Sequence, residues 1–137
     1  MARLLLLLAA TLVIAGCGGP DEADVEEAIR GWAKAANERD AEALCNDYVT
    51  QDFAEGVSGA TGDNARKQCE KLFDVTQPGL KVEILDVSRI EIDGDSATAI
   101  VRRQATGSEV VNQRFELEKE DGEFRIARSG GRAEADP

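Results

Sequence analysis

"SATAIVRRQATGSEVVNQRFELEKEDGEFRIAR", residues 96–128, alternates apolar and polar side chains in runs separated by turn residues. A period of two puts successive side chains on opposite faces of a strand, so the stretch predicts strands over 96–106, 109–120 and 123–128. A two-residue turn at Gly107-Ser108 sets Ile100 opposite Phe115 and Thr98 opposite Leu117. A second, at Asp121-Gly122, adds Phe124 and Ile126 to the same face. Upstream, Val82, Ile84, Ser88, Ile90 and Ile92 repeat with the same period, and Asp93-Gly94-Asp95 reads as the hairpin turn leading out of that strand. The expectation is an antiparallel meander of about four strands with one apolar face. Residues 129–137 carry no apolar pattern and are expected to be a disordered tail.

Toward the amino terminus the period changes to that of a helix. Val25, Ile29, Trp32 and Ala36 recur at spacings of four, three and four, with Asp24 and Glu27 spaced as a capping box. This helix is expected to stop near Asn37 to Arg39. Asp40 then caps a second helix carrying Leu44, Cys45, Tyr48 and Val49. "GVSGATGDN", residues 56–64, reads as a flexible loop, and Asp63 caps a third helix over 64–75 with Cys69, Leu72 and Phe73 on its apolar side, ended by Pro78-Gly79. Helices followed by a one-sided antiparallel sheet predict an α+β domain, the helices packed on a curved sheet.

The chain opens differently. One positive charge, Arg3, precedes twelve uncharged residues, Leu4 to Ala15. As a helix these would rise about 18 Å at ~1.5 Å per residue, against a hydrocarbon core of about 30 Å, so they are too short to span. A charged start, a short apolar run and small residues before a cut are the parts of a signal peptide. Ile14-Ala15-Gly16-Cys17 further resembles the lipobox of bacterial lipoproteins. That resemblance implies removal of residues 1–16, lipidation of Cys17 with palmitate-type acyl chains, and a membrane-anchored, extracytoplasmic domain joined by the tether 17–20. Two or three chains hold a protein to a bilayer stably where one does not.

Of 137 residues, 16 are basic, 27 acidic and none is histidine. Loss of Arg3 would take the net charge from −11 to −12. A chain this acidic is repelled by nucleic-acid phosphates and anionic lipid surfaces, which argues against nucleic-acid binding and leaves the lipid as the membrane contact. The missing histidine removes the commonest general base and metal ligand. With Cys17 consumed by lipid, the remaining pair, Cys45 and Cys69, is expected to form a disulfide in an oxidising compartment, the alternative being two separately buried thiols.

"WAKAANERDAEALC" (32–45), "DGDSATAIV" (93–101) and "EDGEFRI" (120–126), taken in this order of elements, resemble exported members of the nuclear transport factor 2-like superfamily over residues 21–128. The resemblance implies a cone-shaped fold. It does not choose an activity, since the superfamily holds isomerases, dehydratases, cyclases and transport adaptors. Many such cones dimerise through their sheets, so the resemblance is compatible with a homodimer and leaves the oligomeric state open.

A three-residue loop in the first hairpin would set Asp86 across from Arg102 on the inner face, with Gln104 and Gln113 nearby and Trp32 and Tyr48 as apolar walls. Such a cluster could orient a small ligand; the alternative is an ion pair with no ligand. Asp86 beside an arginine is held as the anion and is a weak base. "GVSGATG" lacks the Lys and Ser or Thr of a phosphate cradle, and the acidic turns lack the ligand spacing of a calcium loop. No catalytic residue, metal site or cofactor is therefore assigned. The expectation is a non-enzymatic module for a small ligand or an envelope protein; the alternative is a small lyase or isomerase using Asp86 and Tyr48.

Overall fold

In the computed structural model, which describes residues 20–75 and 79–132, the first helix, α1, runs Pro20–Glu38. Proline is tolerated at the first turn because its missing N–H has no partner there, and Asp21 and Glu22 complement the positive end of the helix. Asp24 and Glu27 therefore lie inside the helix and are not its cap, a correction to the sequence reading. The chain leaves α1 through Arg39, in the left-handed region at φ 61°. Asp40 caps as expected, accepting from the Ala43 amide at 3.0 Å, and opens α2 (Ala41–Ala43), which runs on as a π-helical turn, Leu44–Tyr48. Val49 leaves the helix: it is extended and forms a parallel bridge with Ile126, whose carbonyl accepts from the Thr50 amide at 3.0 Å.

The supposed loop 56–64 is mostly helix. α3 (Gln51–Ser58) is capped by Thr50, whose hydroxyl accepts from the Phe53 amide at 3.1 Å, and it ends at Gly59 with φ 70°. The glycines misled because each is a poor helix former, whereas burial of Ala54 holds the segment helical. Only 59–62 remain as a connection before α4 (Asp63–Val75).

The sheet is the expected meander, β1 (Val82–Asp93), β2 (Ser96–Ala105), β3 (Val111–Glu120) and β4 (Glu123–Arg132), antiparallel in chain order. With the helices before it, it confirms the α+β class. Register departs from expectation in all three hairpins, in β3–β4 only beyond Leu117, where shifts between Glu116 and Leu117 and between Gln113 and Arg114 move the pairing. The β2–β3 pairing is one residue off that of a two-residue turn at Gly107-Ser108, with Arg103 opposite Val111, and the connection 106–110 contains a turn in which the Ser108 N–H donates to the Ala105 carbonyl at 3.0 Å. Ala99 then faces Phe115 and Ala97 faces Leu117. A slip of one residue exchanges faces, so Ala97, Ala99 and Val101 are buried in place of Thr98 and Ile100.

In β1, register shifts between Ile84 and Asp86 and between Ser88 and Glu91 break the strict alternation. Val87 joins Ile84, Ile90 and Ile92 against the core, and Ser88 does not. Each bulge inserts one extra residue and reverses the facing pattern beyond it. The β3–β4 turn is the expected one, with Asp121 and Gly122 both at positive φ and Leu117 paired with Ile126. β4 continues through 129–132, pairing Phe115 with Ser129, so the expected disordered tail is strand over those residues. The expected signal peptide, Cys17 and residues 133–137 lie outside the described residues.

Val25 and Ile29 of α1 bury against Val49 and the sheet residues Val101, Phe115, Leu117 and Ile126. Ala35, Leu44, Cys45, Ala54, Ala65 and Cys69 form a second cluster among the helices, and Trp32 packs against both. The Cys45–Cys69 disulfide, 24 residues apart in sequence, staples α4 to the π-helical turn. Arg66 of α4 reinforces that joint by donating to the carbonyls of Cys45 and Val49, to Gln51 Oε1 at 3.0 Å and to Glu120 Oε1 at 3.1 Å. Asn37 ties α1 to β1, its amide side chain bonding both the N–H and the C=O of Val82 at 2.7 Å.

Candidate functional site

Between the inner face of the sheet and the helices lies a cavity of about 340 Å³, within the roughly 300–1,000 Å³ range of small-molecule sites. Trp32 and Ala36 of α1, Phe53 and Val57 of α3, and Leu72 and Phe73 of α4 form its apolar walls. Arg103, Gln113 and Ser129, from three adjacent strands, form its polar floor. The strand period explains that floor. With Val101, Phe115 and Ile126 fixed inward, residues two further along β2 and two back along β3 also face inward, which brings Arg103 and Gln113 together. Arg103 Nε donates to Gln113 Oε1 at 2.5 Å. Trp32 is held at the base of the cavity by an edge-on contact with Phe115, ring centroids 5.5 Å apart. At the mouth, Arg39 donates to the carbonyls of Phe73 and Asp74 at 3.2 and 3.1 Å and lies over the Phe73 ring.

The residues nominated from sequence are divided by the fold. Trp32 and Gln113 line this cavity. Asp86 and Arg102 are paired across β1 and β2 as expected, but through the bulge between Ser88 and Glu91 and not by a three-residue turn, since the first hairpin turns on two residues. Asp86, Arg102 and Gln104 are exposed on the outer face, opposite the core. The slip in the β2–β3 register is the cause: it selects Arg103 for the inner face and turns Arg102 outward. The sequence reading did not place Arg103 in the cavity, because it took Gly107-Ser108 as a two-residue turn, which sets the β2–β3 register one residue off.

Tyr48 opens onto a different feature, a broad cleft of about 640 Å³ between α1 and the β3–β4 turn that also exposes Asp24, Glu27, Asp47 and Glu123. Its ring packs on Gly31, where a Cβ would come within 2.3 Å of Tyr48 Cε1. Among the described residues, no group of three or more Asp, Glu or Cys side chains is arranged to hold a metal ion, and no helix is long and apolar enough to cross a membrane. Glu55, at the end of α3, accepts hydrogen bonds from Gln51 Nε2 and the Gly62 amide, which hold its carboxyl below the usual range.

No protein-family model matches the chain, and no curated protein matches its sequence. Solved structures do resemble it. Rv3472 of Mycobacterium tuberculosis, of unknown function, superposes with a TM-score of 0.59 at 20% identity, over 83% of this chain and 75% of that one. A cystatin-like domain of unknown function from Nostoc punctiforme gives 0.54 at 14% identity, over 82% and 76%. A candidate dehydratase of the nuclear transport factor 2-like family from Streptomyces avermitilis gives 0.51 at 14% identity, over 80% and 92%. At such identities the likeness concerns the fold. Helices laid over a curved four-stranded antiparallel meander, matched by these neighbours, give this chain the cone-shaped fold seen in nuclear transport factor 2-like structures.

Proposed function

We propose that the protein is a lipid-anchored, extracytoplasmic binding module whose cone cavity receives a small, mainly apolar ligand and does not transform it. The lining carries this reading: apolar side chains from three helices and the sheet surround the cavity, with no Asp, Glu or Tyr among the lining residues. Lyase or isomerase chemistry needs a proton-transferring group within hydrogen-bond reach of the reacting atom. Asp86 and Tyr48 belong to separate surfaces and cannot act on one substrate together.

The anchoring part of the proposal rests on the sequence Ile14-Ala15-Gly16-Cys17. Its geometric consequence is simple. α1 starts three residues after Cys17 and is 19 residues long, about 28 Å at ~1.5 Å per residue. The cavity belongs to the half of that helix distal to Cys17.

Trp32 is the sole tryptophan and lines the cavity, so its fluorescence reports occupancy directly. Titration of the full chain with 1-octanol, a neutral apolar probe, is expected to give a saturable change in Trp32 emission; a linear, non-saturating response counts against a binding cavity. Detergent phase partition tests the anchor. The protein expressed in a bacterial host should enter the detergent phase, and the Cys17→Ser variant should stay in the aqueous phase.

A further inference from the structure

We infer that the ligand of this cavity carries one anionic group, a carboxylate on an apolar body, received by the free ends of Arg103 and Gln113. The inference deepens the binding reading above and rests on it. Arg103 is half-buried on the inner face of the sheet, and its Nε donates to Gln113 Oε1. Among the described residues, neither terminal nitrogen of Arg103 nor Nε2 of Gln113 has a protein partner. Gln113 fixes the guanidinium plane by its carbonyl end, which leaves its own amide N–H groups available beside the guanidinium fork.

A guanidinium at the floor of an apolar cavity lacks the full hydration it has in water, and an unpaired charge there is costly. The usual remedy is a neighbouring carboxylate. This chain has 27 acidic residues among 137, yet none lines the cavity, while two arginines, Arg39 and Arg103, do. Arg39 is committed to the Phe73 and Asp74 carbonyls at the mouth. Arg103 is the group whose counter-charge the fold does not supply. A planar pair of oxygens matches the guanidinium fork in a bidentate arrangement, which favours a carboxylate over a point anion. A ligand with several negative charges would meet the field of a chain at net charge −11, so a single charge on an apolar body fits best.

The test compares octanoate, 1-octanol and octylamine on the full chain, each read by Trp32 fluorescence at one ionic strength. The three share an eight-carbon body and differ in head-group charge. Octanoate is expected to bind about tenfold or more tightly than octanol, the margin of a hydrogen bond to a charged group, and octylamine more weakly than either. Arg103→Gln should erase the margin while octanol still binds, and Arg103→Lys should keep part of it. Equal binding of octanoate and octanol to the natural protein overturns the anion inference and leaves the cavity reading standing. No saturable response to any of the three overturns the cavity reading itself. If Arg103→Gln fails to fold by circular dichroism, Arg103→Lys and the natural-protein comparison decide; an undiminished octanoate margin in a folded Arg103→Gln variant refutes the assignment to Arg103.

Discussion

Replacement of Gly31 by alanine tests the packing of α1 most sharply, because two effects of opposite sign meet there. Gly31 lies inside a 19-residue helix, where alanine is better than glycine by about 1 kcal/mol. The new methyl would stand 2.3 Å from Tyr48 Cε1, 2.7 Å from Cζ and 2.8 Å from Oη, well inside contact distance. The ring must move, and the open cleft beside it offers space at the expense of its packing. Overpacking of this kind costs about 1–3 kcal/mol, so the net effect of Gly31→Ala is destabilisation by about 1 kcal/mol. In a Tyr48→Ala background the obstacle is gone, and the same substitution should stabilise by about 0.5–1 kcal/mol. The assay is urea unfolding of the oxidised protein followed by circular dichroism, on both single variants and the double. An interaction energy of about 1.5–2 kcal/mol between the two positions is expected. If Gly31→Ala has the same effect in both backgrounds, the ring does not require glycine and the reasoning is wrong.

Three further outcomes follow from other parts of the fold. Arg66→Met keeps the aliphatic stem and removes the bonds to Cys45, Val49, Gln51 and Glu120; with side chains 18% and 29% exposed in the Arg66–Glu120 pair, a loss of about 2–3 kcal/mol is expected, against under about 0.5 kcal/mol for the exposed Arg30. Equal losses at the two positions in chemical denaturation would contradict the bridging role. Reduction of Cys45–Cys69, which closes a separation of 24 residues, should cost about 3 kcal/mol in the chain-entropy view, and an unchanged unfolding midpoint under reductant would rule that out. Glu55 is held below its ordinary value of 4.5 by hydrogen bonds from Gln51 and Gly62. A depressed carboxyl contributes stability above its unfolded-state value and loses it as pH falls through the folded one. Glu55→Gln should therefore flatten the acid limb of a melting-temperature profile below about pH 4.5, and an acid limb of unchanged slope would show that those bonds do not favour the ionised form.

The elements themselves were legible from local pattern. Val25, Ile29 and Trp32 mark α1 by spacing alone, Asp40 caps where its side chain reaches an amide three residues on, and Asp121-Gly122 sets a register that the structure keeps as far as Leu117. α3 was hidden because Gly56 and Gly59 are poor helix formers, and its helix depends on burying Ala54 against residues of α4. Strand faces were readable only as far as the turns and bulges allowed. A one-residue offset in the β2–β3 pairing was enough to turn Arg102 out of the cone and Arg103 into it.

What the sequence by itself determined was the class of the fold, helices then a one-sided meander, because periodicity is a local property; the pairing of Cys45 with Cys69 was an expectation that the structure bears out. Tertiary structure alone decided which side chains share a cavity. Facing in a sheet has a period of two, so the identity of every inward residue hangs on a single count of turn and bulge residues, and that count is fixed by hydrogen bonds and packing between segments far apart in the chain.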